Sequence, residues 1–345
     1  MCTGIRLTCK NGYVSGRTAE FGALLEYQVL FMPVGTALSS PIGSGSGKSW
    51  TSTRAVLGTA TFGALCVMDG INDAGLAAAA FYFVGQANYA DAAQTDPSRS
   101  LNASQVPNFL LTTCSTIDEA LAALNDVTVV DSPVDGWGPA APPLHYQILD
   151  SSGRHVAIEP THAGSLQITE NPTAAFTNSP ALPFHLMNLT QYMNIGTETV
   201  QQSTVFGAPV TATGMGSGAL GLPGDYTPPS RFVRAAFFAA NHPVPTTTID
   251  GVQELFHLLN AFDIPLGATV ANGESDFTQM TVVRDMHEFT YSWRTYGDQR
   301  IRQVSMKELM ENAKAPVRVP MTNITGDESQ IDDATGRMLD SPVQG

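Results

Sequence analysis

The chain is short of positive charge, of cysteine and of long apolar runs. Its 345 residues include 17 Lys and Arg against 31 Asp and Glu, which gives a formal net charge of −14. That balance argues against nucleic acid or an anionic membrane as the main partner. No stretch resembles the roughly 20 consecutive apolar residues of a membrane-spanning helix, and no signal peptide is visible. We therefore expect a cytoplasmic protein, or a periplasmic one whose leader has been replaced by Met.

Cysteine and histidine are too scattered to predict a metal centre. The four cysteines form no CxxC pair, and the seven histidines show no spacing typical of zinc ligands. We therefore expect no metal and no cofactor. Cys9, Cys66 and Cys114 lie in apolar runs, as small buried side chains do. Cys2 differs from them because it directly follows the initiator Met1.

Removal of Met1 would leave a chain that begins with Cys2. A terminal cysteine carries a thiol, whose thiolate is a strong nucleophile, and a free α-amine with a reference pKa of about 7.7–8.0. One residue then supplies both the nucleophile and the general base, as in N-terminal-nucleophile hydrolases. The alternative is that a cysteine follows Met1 by chance.

The apolar content and its periodicity predict an α+β fold. The chain is 43% hydrophobic and 14% charged, which suffices for a large core. Antiparallel hairpins with no βαβ alternation predict two sheets with helices outside. The predicted hairpins cover residues 4–21, 65–83, 144–158 and 277–296, and the second of them is predicted to turn around residues 69–75. The predicted helices cover 117–124, 232–241 and 252–262.

Two further segments lack regular periodicity. Residues 36–54 are rich in Gly and Ser and predict a long surface loop. After residue 307 the chain is polar and interrupted by Gly and Pro. We therefore expect one domain over residues 2–307 and an extended C-terminal tail over 308–345.

The first hairpin brings charged side chains toward Cys2. Arg17 and Glu20 lie on its second arm, which runs back alongside residues 2–9. A guanidinium beside the sulfur favours the thiolate, and Glu20 could orient the α-ammonium. An ordinary surface ion pair between Arg17 and Glu20 is the alternative.

Five motifs in order resemble the choloylglycine hydrolase family, which contains conjugated bile salt hydrolases and penicillin V acylases. The resemblance covers roughly residues 2–305. It implies an αββα four-layer N-terminal-nucleophile hydrolase fold with antiparallel sheets, often assembled as a homotetramer. The motifs are Cys2, Gly16-Arg17-Thr18-x-Glu20-Phe21, Asp69-Gly70-Ile71-Asn72-x-x-Gly75-Leu76, Phe176-Thr177-Asn178-Ser179-Pro180, and Gly221-Leu222-Pro223-Gly224-Asp225-Tyr226 followed by Ser230-Arg231-Phe232-Val233-Arg234.

The resemblance also implies a role for each matching position. Cys2 would attack the amide carbon and Arg17 would assist its sulfur. Glu20 stands where the family usually has Asp, one methylene shorter. Asn178 would donate its amide to the oxyanion together with the backbone N–H of Tyr82. Without the family, Asn178 would be a turn residue. The last position, Arg231, would support the thiolate charge, or be a surface charge at a helix start.

The acyl group is predicted from the aromatic residues around Tyr82. In the family, bile salt hydrolases commonly carry Asn at this position and penicillin V acylases of Gram-positive type carry Tyr. Phe21, Phe81, Tyr82 and Phe83 would form a wall suited to a phenoxyacetyl or fatty acyl group, or these rings would simply be strand core.

Three enzymatic activities and one non-catalytic role stay open. We expect a penicillin V acylase-like amidase acting on a small-molecule N-acyl amide. A conjugated bile salt hydrolase and an acyl-homoserine lactone acylase are the alternatives. The different class is a non-catalytic protein that keeps the fold, which would not need Cys2, Arg17, Asn178 and Arg231 together.

Overall fold

A computed structural model of the chain contains two antiparallel sheets that face each other and carry helices on their outer surfaces. The structure describes residues 1–61, 64–271 and 273–326. The strands are, in chain order, β1 (Cys2–Cys9), β2 (Gly12–Phe21), β3 (Gln28–Met32), β4 (Ala37–Ile42), β5 (Gly45–Thr51), β6 (Val56–Ala60), β7 (Val67–Asn72), β8 (Ala77–Tyr82), β9 (Ala90–Asp91), β10 (Ser100–Asn102), β11 (Thr128–Asp131), β12 (Leu144–Leu149), β13 (His155–His162), β14 (Ser165–Glu170), β15 (Ala175–Phe176), β16 (Gln202–Val205), β17 (Ala208–Thr211), β18 (Val270–Ala271), β19 (Glu274–Ser275), β20 (Phe277–Asp285), β21 (Thr290–Thr295), β22 (Arg302–Ser305) and β23 (Val317–Pro320).

The helices are grouped in the outer layers. The α-helices are α1 (Val106–Thr113), α2 (Ile117–Leu124), α3 (Leu182–Leu189), α4 (Pro228–Asn241), α5 (Thr248–Asn260) and α6 (Met306–Asn312). Short 3₁₀ helices cover Ala92–Gln94, Pro97–Arg99, Ala103–Gln105, Thr190–Tyr192 and Ser217–Ala219. Within the described residues, no helix combines the length and apolarity needed to cross a bilayer.

The first sheet contains both strands of the predicted hairpin at the start of the chain. It has the order β15-β1-β2-β20-β21-β22. The tight turn after Cys9 pairs Cys2 with Ala19 and Gly4 with Arg17, which brings the start of the chain beside the second arm as the sequence predicts. A register shift after Ala19 in the pairing of β2 with β20 marks a bulge, which re-aims the neighbouring side chains.

The second sheet has the order β14-β13-β12-β8-β7-β6-β3-β23. Its central strand β8 is apolar along its whole length because both faces are covered. One core cluster lies between the sheets, including Phe31, Ile71, Met280 and Tyr291. The predicted fold, helix–sheet–sheet–helix, is therefore confirmed.

The outer layers complete the sandwich. Helices α1 and α2 pack their apolar faces on the second sheet, and α4 and α5 pack on the first. The side chain of Thr116 accepts a hydrogen bond from Glu119 N and caps α2, which spans the predicted residues. Helix α5 begins four residues earlier than predicted, where Thr247 and Asp250 form a capping box.

Three segments differ from the sequence prediction. Residues 36–54 contain the hairpin β4–β5 in place of a loop. Asp69 lies inside β7 and not in the turn, which the side chain of Asn72 closes by accepting from Ala74 N and Leu76 N. The predicted tail boundary at 307/308 falls inside α6, and β23 pairs with β3 as the edge of the second sheet. Residues 308–326 are thus attached to the sandwich; the rest of the predicted tail lies outside the described residues.

Candidate active site

The thiol of Cys2 lies against the guanidinium of Arg17. Arg17 Nη2 donates to Cys2 Sγ at 2.6 Å, and both side chains are almost fully buried. Burial works to lower the pKa of Arg17, but the charges of Cys2 and Asp69 raise it, and the balance lies above its ordinary value. The guanidinium therefore stays a cation beside the sulfur, where it favours the thiolate.

Arg17 is fixed in place on several sides. Its Nη1 donates to Ala80 O at 2.5 Å and its Nε to Thr18 O at 3.2 Å. Its guanidinium also lies over the ring of Phe81, 4.4 Å from the centroid. A planar guanidinium can satisfy several acceptors in fixed directions. The side chain is thus held rigidly toward the thiol.

A buried carboxylate lies behind Arg17. Asp69 Oδ2 is 3.8 Å from Arg17 Nε and 3.2 Å from Arg284 Nη1. Its Oδ1 accepts from the hydroxyl of Tyr291 at 2.8 Å. One carboxylate therefore neutralises part of the charge of two buried guanidinium groups. The sequence analysis missed this role because it assigned Asp69 to a turn.

Asn178 and Arg231 come together at the backbone of Cys2. Asn178 Oδ1 accepts from Cys2 N at 2.7 Å and from Arg231 Nη2 at 2.8 Å. Arg231 Nη1 also donates to Cys2 O and to Thr3 Oγ1. Burial lowers the pKa of Arg231, and the charges of Glu20 and Cys2 oppose that shift. Arg231 is fully buried at the start of α4, so it is not the surface charge that its position in sequence suggests.

The amide of Asn178 faces the end of β8. Its Nδ2 donates to Tyr82 O at 2.8 Å. An amide NH₂ carries two hydrogens, so this contact uses only one of them. The structure thus brings Asn178 and the Tyr82 backbone to the same end of the site, as expected from the sequence, and their action on an oxyanion stays a prediction.

Glu20 lies on the other side of the chain start. Its Oε1 accepts from Thr278 Oγ1 at 2.8 Å, while Oε2 is buried with no hydrogen-bond partner among the described residues. Burial raises the pKa of Glu20, and the charges of the N-terminus and Arg231 oppose that shift. In this chain Met1 precedes Cys2; its ammonium donates to Glu20 O at 2.7 Å.

An apolar cavity of about 60 Å³ opens above the thiol. The residues of this inner cavity are mostly apolar and include Leu25, Met68, Leu144 and Met280. Three aromatic rings form one wall: Phe21 is 5.9 Å from Tyr82 and 4.9 Å from Trp137, centroid to centroid. The cavity can therefore bury an apolar group next to the sulfur.

Two of the predicted wall residues do not line this cavity. Phe81 and Phe83 are fully buried on the opposite face of β8 from Tyr82, because successive side chains of a strand alternate. Phe83 stacks on His145, with centroids 4.2 Å apart, and the ring of Phe81 packs against the guanidinium of Arg17. Their predicted place in the wall is therefore wrong, while Phe21 and Tyr82 do line the cavity; contact with a substrate stays a prediction.

Trp137 is the wall residue that the sequence analysis missed. It lies between β11 and β12 in a stretch with few periodic signals. Its neighbours Gly136 and Gly138 have φ angles of 81° and 142°, a region that favours glycine. A lone tryptophan between two glycines is the signal that could have indicated an inward-turning loop.

Comparisons with known proteins bear on this geometry. Residues 2–318 match the model of the linear amide C–N hydrolases, choloylglycine hydrolase family. The chain belongs to this family. It is 31% identical over 316 residues to a bile salt hydrolase/transferase of Clostridium perfringens, covering 89% of this chain and 93% of that protein.

Solved structures agree with the family membership. A variant of conjugated bile acid hydrolase from Clostridium perfringens superposes with a TM-score of 0.84 at 26% identity, covering 96% of this chain and 99% of that one. Penicillin V acylase from Agrobacterium tumefaciens gives a TM-score of 0.74 at 21% identity, covering 92% and 90%; this second likeness supports the fold alone. The chain is therefore an N-terminal-nucleophile hydrolase in fold and a linear amide C–N hydrolase in class.

Proposed function

We propose that the chain is an N-terminal-cysteine amidohydrolase that cleaves a small N-acyl amide, in the manner of a penicillin V acylase. The observation that carries the proposal is the contact of 2.6 Å between Arg17 Nη2 and Cys2 Sγ at the floor of an apolar cavity. Removal of Met1 would free the α-amine of Cys2. That amine would keep the acceptor Asn178 Oδ1, which lies 2.7 Å from the same nitrogen now.

The reaction would proceed through a thioester. The thiolate of Cys2 attacks the amide carbon, and negative charge develops on the carbonyl oxygen, facing the Asn178 amide and the Tyr82 N–H. The carbon–nitrogen bond then breaks, and the α-ammonium of Cys2 gives its proton to the leaving nitrogen. Water attacks the thioester carbon and passes a proton to the α-amine. The carbon–sulfur bond then breaks, which releases the acid and restores the thiolate of Cys2. Each oxyanion donor is worth about 2.7–4 kcal/mol in the transition state.

The inner cavity supports an aromatic or aliphatic acyl group. The ring of Trp137 joins those of Phe21 and Tyr82, so a flat phenoxyacetyl group or an alkyl chain finds apolar partners on several sides. A second candidate is a conjugated bile salt hydrolase, because the Clostridium perfringens relative at 31% identity carries that name. An acyl-homoserine lactone acylase is the third candidate and shares the aliphatic acyl group.

Three experiments test the proposal. Iodoacetamide should alkylate Cys2 first and abolish activity, and intact mass should show the loss of Met1. Cys2→Ser should keep the fold and lose nearly all turnover, since a hydroxyl is far less ionised at neutral pH; near-native turnover would contradict thiol catalysis. A panel of penicillin V, glycocholate, taurocholate and long-chain acyl-homoserine lactones ranks the acyl groups, and a highest kcat/KM for glycocholate would overturn our ranking.

We also propose that the enzyme assembles as a homotetramer. The segment between α3 and α4 exposes several large apolar side chains to solvent. More than 80% of the surface is exposed at Met193, Phe206, Met215 and Leu220. Such exposed apolar groups mark interaction surfaces. Sedimentation equilibrium should give the mass of four chains, and a monomeric mass at micromolar concentration would contradict the assembly.

A further inference from the structure

The inner cavity contains a phenol whose hydroxyl has no hydrogen-bond partner. Tyr27 lines this cavity together with Cys2 and Arg17, and only 6% of its surface is exposed. Within the part of the chain that the structure describes, its hydroxyl neither donates nor accepts a hydrogen bond. Because buried polar side chains normally have such a partner, the hydroxyl of Tyr27 is available to a ligand.

Two other tyrosines are as deeply buried, and both of their hydroxyls are engaged. Tyr146 donates to Ala103 O at 2.8 Å, and Tyr291 donates to Asp69 Oδ1 at 2.8 Å. These contacts join neighbouring layers of the fold. Leaving a buried hydroxyl unpaired is unfavourable for folding, so the hydroxyl of Tyr27 is better explained by binding than by the stability of the fold.

The backbone and the ring of Tyr27 are both held in place. Tyr27 lies directly before β3, and its carbonyl oxygen accepts from Met321 N at 2.9 Å. Strand β23 pairs with β3 immediately beside this contact. The ring packs in the core cluster between the two sheets, which also contains Leu25 and Met280. The phenol is therefore a fixed part of the cavity lining.

The hydroxyl of Tyr27 acts as a donor at neutral pH. Burial raises the pKa of Tyr27, and the charge of Cys2 acts in the same direction against the opposing charge of Arg17. The phenol therefore keeps its proton, and a protonated phenol can donate one hydrogen bond. An acceptor atom that enters the cavity can receive it.

Two threonine hydroxyls of the same cavity are already engaged. Thr59 Oγ1 lies 2.5 Å from the hydroxyl oxygen of Tyr291, and Thr61 Oγ1 lies 3.9 Å from Met68 Sδ. The rest of the lining is mostly apolar. Tyr27 thus places an unused donor inside a space that is otherwise suited to carbon.

The acyl part of a substrate would share the cavity with this donor. In the mechanism of the proposed function, on which this inference rests, the acyl carbon is bonded to Cys2 Sγ and the rest of the acyl group lies in the inner cavity. A pure hydrocarbon chain would exclude water from the Tyr27 hydroxyl and offer it no acceptor, which is unfavourable. An ether oxygen accepts a hydrogen bond and is close to a methylene group in size.

We propose that Tyr27 determines the acyl specificity by donating a hydrogen bond to an ether oxygen of the acyl group. The enzyme then selects aryloxyacetyl groups over arylalkanoyl groups of the same length. The aryl ring packs against Phe21, Tyr82 and Trp137, which form the aromatic wall. Tyr27 takes no part in breaking or forming bonds, and the steps of the reaction are those of the general mechanism.

Two acyl groups that differ in one atom test this assignment. The 4-nitroanilides of phenoxyacetic acid and of 3-phenylpropanoic acid carry an ether oxygen and a methylene at the same position, and absorbance follows the release of 4-nitroaniline. We expect a higher kcat/KM for the phenoxyacetyl anilide in the wild-type enzyme. Tyr27→Phe should reduce the ratio of the two values by roughly three- to tenfold, the effect of one neutral hydrogen bond. Comparing this ratio between enzymes cancels the difference in intrinsic reactivity between the anilides.

A matched variant and a second measurement control the experiment. Tyr13→Phe removes a hydroxyl at the far end of the opening hairpin, where Tyr13 pairs with Thr8, whereas Cys2 pairs with Ala19. This variant should leave the ratio unchanged, and an equal fall in it would overturn the proposal. Iodoacetamide should alkylate Cys2 in Tyr27→Phe at the wild-type rate, and a slower rate with an unchanged ratio would assign the hydroxyl to the thiol instead.

The inference on Tyr27 and the proposed function fail differently. An unchanged ratio in Tyr27→Phe, or a fall that occurs only in Tyr82→Phe, would overturn the inference while both anilides are still cleaved and the amidase stands. Cleavage of glycocholate with no cleavage of either anilide would also overturn it. If Cys2 is not alkylated and neither the anilides nor the panel of acyl substrates is cleaved, the proposed function itself is wrong.

Discussion

At the scale of single residues, the site depends on two guanidinium groups that are held by directed hydrogen bonds as well as by charge. Arg17 meets a sulfur, two carbonyl oxygens and an aromatic face at once. Arg231 joins the backbone of Cys2 to Asn178 in a similar way. A lysine at either position would keep the charge and lose the geometry, because its ammonium is a single point on a flexible chain.

Arg17→Lys should therefore slow the reaction of the Cys2 thiol. We expect the rate of alkylation by iodoacetamide at neutral pH and kcat/KM to fall together, by roughly 10- to 100-fold. The rate of alkylation against pH, followed by peptide mass, measures the effect. Arg54→Lys is the matched control, since Arg54 is a half-exposed arginine that donates to Ser115. An unchanged alkylation profile in Arg17→Lys would show that the guanidinium does not act on the sulfur.

At the scale of elements, segments with a regular local sequence pattern could be predicted. Segments whose position depends on tertiary contacts could not. The opening hairpin and α2 follow from turn residues, alternation and a capping threonine, all of which are local. The local sequence does not indicate which side chain at the end of β8 lines the cavity, because Phe81, Tyr82 and Phe83 are all aromatic. Only the packing of the neighbouring layers decides that it is Tyr82. Trp137 was missed for a related reason: its position depends on a loop without periodicity.

The segment that carries Asn178 is held by two buried histidines. His145 Nε2 lies 2.9 Å from Thr177 O, and His185 Nε2 lies 2.9 Å from Asn178 O. A carbonyl oxygen can only accept, so the facing nitrogen of each ring carries a proton. Burial lowers the pKa of His185, so this ring is neutral with its one proton toward Asn178. The carbonyl groups of Thr177 and Asn178 are thus fixed on either side of the Asn178 Cα.

His185→Phe should reduce kcat with little change in KM. The phenyl ring can keep the stacking on Phe232, whose centroid is 4.8 Å away, but it cannot donate to Asn178 O. Because the Asn178 amide is expected to act on the transition state, a small displacement of this amide should lower kcat about tenfold. His162→Phe, at an exposed strand end, is the control. A rise in KM at constant kcat would assign His185 to substrate binding instead.

At the scale of the whole molecule, acid should destabilise the fold through a buried histidine that does not line the thiol cavity. His155 is buried between the sheet and the segment before β15, where its Nδ1 faces Thr173 O and its Nε2 faces Gln147 Oε1. Burial lowers its pKa to about 3, and the charges of Arg6 and Arg284 act in the same direction. The folded chain therefore keeps this ring neutral well below its ordinary pKa of 6.5.

Between these two pKa values the unfolded chain binds a proton that the folded chain does not. The free energy of unfolding must therefore rise with pH across this window, and the stability is lost as the pH falls from 6.5 toward 3. His155→Gln should flatten that slope by up to about 1.4 kcal/mol per pH unit. Urea unfolding between pH 4 and 7 measures it, and a loss of stability common to all pH values does not affect a slope. The exposed His162→Gln should keep the wild-type slope, and an equally steep slope in His155→Gln would mean that other groups control the acid sensitivity.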